Sequence, residues 1–184
     1  MAARDPYRRF ETSSGRRIGV PGFSLVLTAV LAALFWILGP FVVGVYWIPT
    51  GSMIPTLRPG DEVLANEFVY RFEPPKRGQI VIFRNPEDPG GAPLIKRIVG
   101  LPGDTIQIKH GVLYVDGAPR REPYVKGGEP APFGPVTVPP GKVFVLGDNR
   151  TDSEDSRYFG AVPERALEGE VFLVFWPPGR FGWL

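Results

Sequence analysis

Two short stretches carry residues able to do chemistry: Pro49-Thr50-Gly51-Ser52-Met53-Ile54-Pro55 and Pro93-Leu94-Ile95-Lys96-Arg97-Ile98. The first sets two hydroxyls and a glycine between prolines at the end of an uncharged apolar run, residues 18–57. A small-residue turn locked in that way holds a geometry for use. If the serine is a nucleophile it needs a base. The single histidine, His110, precedes Gly111 and reads as an exposed turn residue, whereas a Ser-His-Asp triad needs a buried imidazole. Zero cysteines exclude a thiolate, and with one histidine a metal site would rest on carboxylates almost alone, so neither metal nor cofactor is expected. Lysine remains: desolvation lowers its pKa from about 10.4 toward neutrality, while arginine stays charged.

Of the lysines, Lys76, Lys109, Lys126 and Lys142 stand beside Gly, Pro or a hairpin tip. Lys96 differs. Strand periodicity puts it on one face with Leu94 and Ile98 while Ile95, Arg97 and Val99 take the other, an apolar setting for an amine. The plainer reading is that Lys96 and Arg97 are edge-strand charges that discourage aggregation.

These residues need elements to position them. Residues 23–47 form 25 nearly unbroken apolar positions, which as a helix would extend about 37 Å against a hydrocarbon core of about 30 Å. A cleaved leader is the alternative, but its apolar region runs only about 7 to 15 residues. Arg4, Arg8, Arg9, Arg16 and Arg17 precede the run and no positive charge follows it until Arg58, so the N-terminus is expected in the cytoplasm. The organisation expected is residues 1–17 a basic cytoplasmic segment, 18–47 a membrane anchor, and 48–184 an extracytoplasmic domain. That domain reads as mostly β: EVLANEFVY, QIVIFRN, LIKRIVG, TIQIKHGVLYVDG, KVFVLGD and EGEVFLVFW are apolar runs bounded by Gly, Pro or Asp. His110-Gly111 would turn a hairpin. Residues 116–142, rich in proline, read as a loop or small β insertion, and PERALEGE at 163–170 as a short helix. The fold expected is an antiparallel, partly barrel-like sheet with that insertion, behind one N-terminal helix. A net charge of +2 and a pI near 9.0, with no basic block, give no reason for nucleic-acid binding.

In order along the chain, PTGSMIPTL (49–57), RGQIVIF (77–83), KRIVGLPGD (96–104) and GDNRTDSEDSRYFG (147–160) resemble the boxes of bacterial type I signal peptidases, Ser/Lys serine proteases with an N-terminal anchor. The resemblance implies that Ser52 is the nucleophile and Lys96 the general base. The Ser52 backbone N–H and the Thr50 hydroxyl would form the oxyanion hole, at a position where serine is common in the family. Ser153 would orient the lysine amine, Asp155 and Arg157 would pair to support its loop, and Asp148 and Asn149 would shape the turn. Ile48, Pro49, Ile82 and Ile95 would line shallow pockets accepting alanine-sized side chains. Gln79 departs from an acidic residue common in the family.

The same resemblance implies a substrate and a place: signal peptides of exported preproteins cut after Ala-x-Ala-like sites, at the plasma membrane, with a phospholipid bilayer and the secretion translocon as partners. Two other readings stay open, a specialised Ser/Lys peptidase and an anchored peptide-binding domain in which Ser52 and Lys96 are structural. Phe175, Trp176, Phe181 and Trp183 beside Arg180 would either meet lipid headgroups or end a strand inside the core.

Overall fold

A computed structural model describes residues 26–30, 43–88, 90–125 and 128–184. The chain divides into two units, residues 1–37 and 38–184. In the first, residues 26–30 are helical. Among the described residues no helix is long and apolar enough to cross a membrane, and most of the anchor expected at 18–47 lies outside them. Its expected end requires a correction. Val43–Trp47 is strand β1, which pairs antiparallel with β2 (Glu62–Asn66) from Val43↔Asn66 to Trp47↔Glu62. The β-branched and aromatic residues there suit a pleated surface as well as they suit lipid.

The second unit is mostly β, a curled antiparallel half-barrel with few helices. β3 (Ile80–Phe83), β4 (Leu94–Gly100), β9 (Lys142–Leu146), β10 (Val162–Pro163) and β11 (Leu167–Trp176) complete the order β1-β2-β11-β3-β4-β9-β10, with β12 (Gly182–Trp183) on β11. A second sheet has the order β7-β6-β5-β8, built from β5 (Thr105–Lys109), β6 (Val112–Val115), β7 (Ala118–Pro119) and β8 (Phe133–Thr137). The β5–β6 hairpin turns at His110 and Gly111, with φ of 48° and 74°. That pair of positive values matches the tight turns whose twist suits a hairpin. The helix expected at 163–170 is one 3-10 turn, Glu164–Ala166, after which β11 begins; alternating burial and the β-branched and aromatic residues of its second half override the local helical signal.

β3 reads IVIF because both its faces are covered. Ile80 and Ile82 join Ile48, Met53 and Leu57 in one apolar cluster, while Val81 and Phe83 join Ile98 and Val145 in another. A third cluster, with Val99, Phe144 and Leu146, links β4 and β9 to Ile106, Ile108, Leu113 and Val115 of the second sheet. Residues 48–61 form a loop tied at its base: Ile48 N–H donates to Asp61 O and Gly60 N–H to Ile48 O, each at 2.9 Å. Asp61, 1% exposed, accepts from Arg180 at 2.7 and 2.9 Å, and Arg180 also donates to Thr56 O at 2.9 Å. Because Arg180 is a quarter exposed, removing the acid costs less than the 3 to 5 kcal/mol of a fully buried pair. Asp61→Ala is expected to lower unfolding free energy by about 2 kcal/mol in denaturant titration. A change under about 0.5 kcal/mol would show that the loop base does not depend on this pair.

Candidate active site

Ser52 begins a turn whose inner side is fixed by burial. Met53 and Leu57 are 1% and 0% exposed, Ile54 N–H donates to Gly51 O at 3.1 Å and Leu57 N–H to Met53 O at 3.0 Å. Lys96 comes from the middle of β4, opposite Val81 in the register with β3. Its neighbours at two residues either side, Leu94 and Ile98, belong to one apolar cluster and Ile95 packs against another, as strand alternation requires. The two elements meet in one contact: Lys96 Nζ donates to Ser52 Oγ at 2.7 Å, across 44 positions of sequence. Thr50 Oγ1 donates to the same oxygen at 3.4 Å. Lys96 is 4% exposed, so the edge-charge reading of this residue does not hold.

Burial lowers the pKa of the amine. Desolvation brings Lys96 from its ordinary 10.5 down to about 8, while the carboxylates of Asp155 and Glu154 pull the other way. Asp155 is itself occupied: Arg157 reaches it at 2.8 and 2.9 Å, and Gly147 N–H donates to it at 3.0 Å. That ion pair, expected from sequence, is present and buried.

The 147–150 turn carries the serine turn. Asn149 N–H donates to Ser52 O at 3.0 Å and Asn149 Nδ2 to Gly51 O at 3.1 Å. Asp148 is fully buried and accepts from Arg97 at 2.9 and 2.7 Å and from Thr56 Oγ1 at 2.5 Å. Gly147 is small of necessity, because a Cβ there would lie 2.5 Å from Ser52 O and 2.5 Å from Ser153 Cβ. From sequence, Arg97 read only as an edge-strand charge, and Thr56 and Arg150 carried no assigned role. The available signal was Asp148 itself, since a carboxylate in a buried box needs a cation, and the strand face opposite Lys96 supplies one.

An apolar cavity of 320 Å³ opens beside the pair, lined by Ile48, Pro49, Met53, Leu94 and Ile95 as well as Ser52 and Lys96. Larger hollows of 460, 400 and 510 Å³ are lined by charged side chains such as Glu67, Glu168, Glu73, Lys76 and Glu170 and hold neither Ser52 nor Lys96. The smaller one is therefore the candidate site.

The family profile described as signal peptidase, peptidase S26, matches residues 22–176. The chain belongs to this family. It is a serine endopeptidase of the signal peptidase I kind. It is 42% identical over 164 residues to the "probable signal peptidase I-2" of Synechocystis sp., covering 86% of this chain and 74% of that protein. Identity is 38% over 148 residues with signal peptidase I of Leptolyngbya laminosa, covering 77% and 73%, and 35% over 176 residues with signal peptidase IB of Staphylococcus aureus, covering 85% and 90%. The peptide-binding alternative gives way to an enzyme.

Two site residues implied by resemblance to signal peptidases sit differently from expectation. Ile82 is fully buried inside the cluster beneath the cavity and is absent from its lining. Alternation explains it, because β3 turns Ile80 and Ile82 into the core that Ile48 and Met53 cover. The Ser153 hydroxyl is buried beside Gly147 and makes no hydrogen bond, so no bond runs from it to the Lys96 amine. Gly147→Ala is expected to lower kcat at least about 100-fold, because the added methyl must displace the Ser52 carbonyl. Retained activity in a peptide-cleavage assay, with the variant folded, would mean that the two turns are free to separate.

Proposed function

We propose that this enzyme removes signal peptides from exported preproteins, cutting after small residues at Ala-x-Ala-like sites, with Ser52 as nucleophile and Lys96 as general base. The observation that carries this reading is the 2.7 Å contact between a 4% exposed lysine amine and a serine hydroxyl in a chain of the signal peptidase family. Neutral Lys96 takes the proton from Ser52 Oγ as that oxygen bonds to the scissile carbonyl carbon. The Ser52 N–H and the Thr50 hydroxyl receive the developing oxyanion, each donor contributing about 3 to 4 kcal/mol in such sites. Protonated Lys96 then gives its proton to the departing amine as the C–N bond breaks, leaving an ester on Ser52. A water deprotonated by Lys96 hydrolyses that ester, and the proton returns to Oγ.

Specificity follows from shape. The 320 Å³ cavity, floored by Ile48, Met53 and Ile95, accepts small apolar side chains on an extended peptide and resists larger ones. Asp148, Asn149, Asp155 and Arg157 are proposed to support the dyad through the turn. Residues 18–42, ahead of β1, are proposed to supply the membrane tether, N-terminus in the cytoplasm and the β unit outside, where preproteins emerge from the translocon. Supporting a bilayer-facing surface, Trp47 at 62%, Trp176 at 52% and Trp183 at 75% are exposed on neighbouring strands, and Phe181 at 63% lies close by, which leaves these residues outside any core.

The test is cleavage of a labelled preprotein by wild type, Ser52→Ala and Lys96→Arg, with product masses locating the cut. Both variants are expected to lose at least about 1,000-fold in kcat. An active Lys96→Arg would remove lysine from the role of base. The pH dependence has a definite sign: Lys96 works unprotonated, so kcat/KM should climb about tenfold per pH unit below its value of about 8 and level above it. A limb at pH 6 or lower would assign the base to another group.

A further inference from the structure

The inserted region contributes two side chains to the catalytic boxes that no motif points to. Glu122 and Tyr124 stand on one short stretch ahead of β8. Glu122 accepts from Arg150 Nη1 and Nη2 at 2.8 and 2.7 Å, an ion pair whose side chains are 8% and 2% exposed. Tyr124 lays its ring over the guanidinium of Arg97, 4.0 Å from centroid to Cζ, and its hydroxyl donates to Glu122 Oε1 at 2.8 Å. The two arginines are those that frame the serine turn. Arg97, next to Lys96 on β4, holds Asp148 and through it Thr56. Arg150 Nε donates to Gly147 O at 2.9 Å, and its carbonyl accepts from Arg157 Nη1 at 2.7 Å.

We propose that Glu122 and Tyr124 are positioning residues, a strap from the insertion that clamps Arg150 and Arg97 and thereby holds the 147–150 turn against the carbonyls of Gly51 and Ser52. Removing the Glu122 carboxylate strands a buried guanidinium whose remaining bond is to the Gly147 carbonyl of the turn. Replacing the Tyr124 ring uncovers Arg97 and frees it to turn from Asp148, losing a stacked cation contact. Either change moves Ser52 relative to Lys96 without touching the cavity that receives substrate. A displacement of about 1 Å in a nucleophile is enough to cost on the order of 100-fold in rate.

This proposal rests on the Ser52–Lys96 reading, and the experiment separates the two. In full-length enzyme, Glu122→Gln, Tyr124→Leu, Tyr124→Phe and a Ser52→Ala control are assayed for kcat, KM and the pH profile of kcat/KM, with circular dichroism and melting giving the folded fraction. Expected for Glu122→Gln and Tyr124→Leu is a fall in kcat per folded molecule of at least about 10-fold with KM within about twofold. Tyr124→Phe, which keeps the ring, should restore most of the rate. Water entering beside Lys96, whose facing charges are Asp155 and Glu154, should also move the limb upward toward lysine's ordinary range. Loss of folded protein alone would scale the profile without moving it. If Ser52→Ala is inactive while Glu122→Gln and Tyr124→Leu match wild type in kcat and limb position, the strap is overturned and the dyad stands. If Ser52→Ala keeps full activity, both fall.

Discussion

The structure turns on lowering the pKa of a buried amine in the presence of acids. Lys96 is useful only if burial outweighs the pull of Asp155 and Glu154, and the chain meets this by giving the buried acids other partners. Arg157 takes both oxygens of Asp155 and Arg97 both oxygens of Asp148. Arginine suits the task because it stays charged in any protein environment and its planar fork satisfies a carboxylate completely. The lysine is then left with a neutral hydroxyl as its partner, and Arg97 and Arg157 act on its surroundings by occupying the buried carboxylates.

From that constraint the turn-on-turn construction follows. Ser52 lies on a turn and not in a paired strand, and a turn has few backbone bonds of its own. The 147–150 turn supplies them: Asn149 bonds to both Gly51 and Ser52 carbonyls, and Gly147 lets the two backbones approach. β3, covered on both faces, gives the rigid centre from which β4 delivers Lys96. The site is precise because loops are pinned to a sheet by buried charges.

Much of this was legible in the sequence where one rule acted alone. QIVIFRN became β3 because a continuous apolar run suits a strand buried on two sides, and TIQIKHGVLYVDG became a hairpin because His110-Gly111 accepts positive φ. Lys96 stood out by period two, and proximity to Ser52 came from resemblance to a family. Errors arose where two rules competed. Residues 43–47 satisfy both a lipid-facing and a pleated pattern, and only pairing with β2 decides between them. PERALEGE carries helix formers, yet pairing on both sides claims Leu167 onward for β11. Ile82 was assigned to a pocket it underlies, because alternation gives the face of a strand and not its depth. Glu122, Tyr124 and Arg150 escaped notice, and Arg97 read only as an edge charge, because their meaning lies in mutual contacts between distant segments.

Those distances along the chain have a consequence for when the enzyme exists. Ser52 meets Lys96 across 44 residues, Thr56 meets Asp148 across 92, Asn149 meets Gly51 across 98, and Arg180 meets Asp61 across 119. Closing such long loops needs nearly every strand in place first. A chain that has emerged only as far as β4 carries Ser52, Lys96 and Arg97 while lacking the 147–150 turn, Arg150 and Arg157. The bonds that Asn149 makes to the Gly51 and Ser52 carbonyls are therefore available only once residues 147–150 have been made. The order of the boxes along the chain thus places the last contacts around Ser52 late in synthesis.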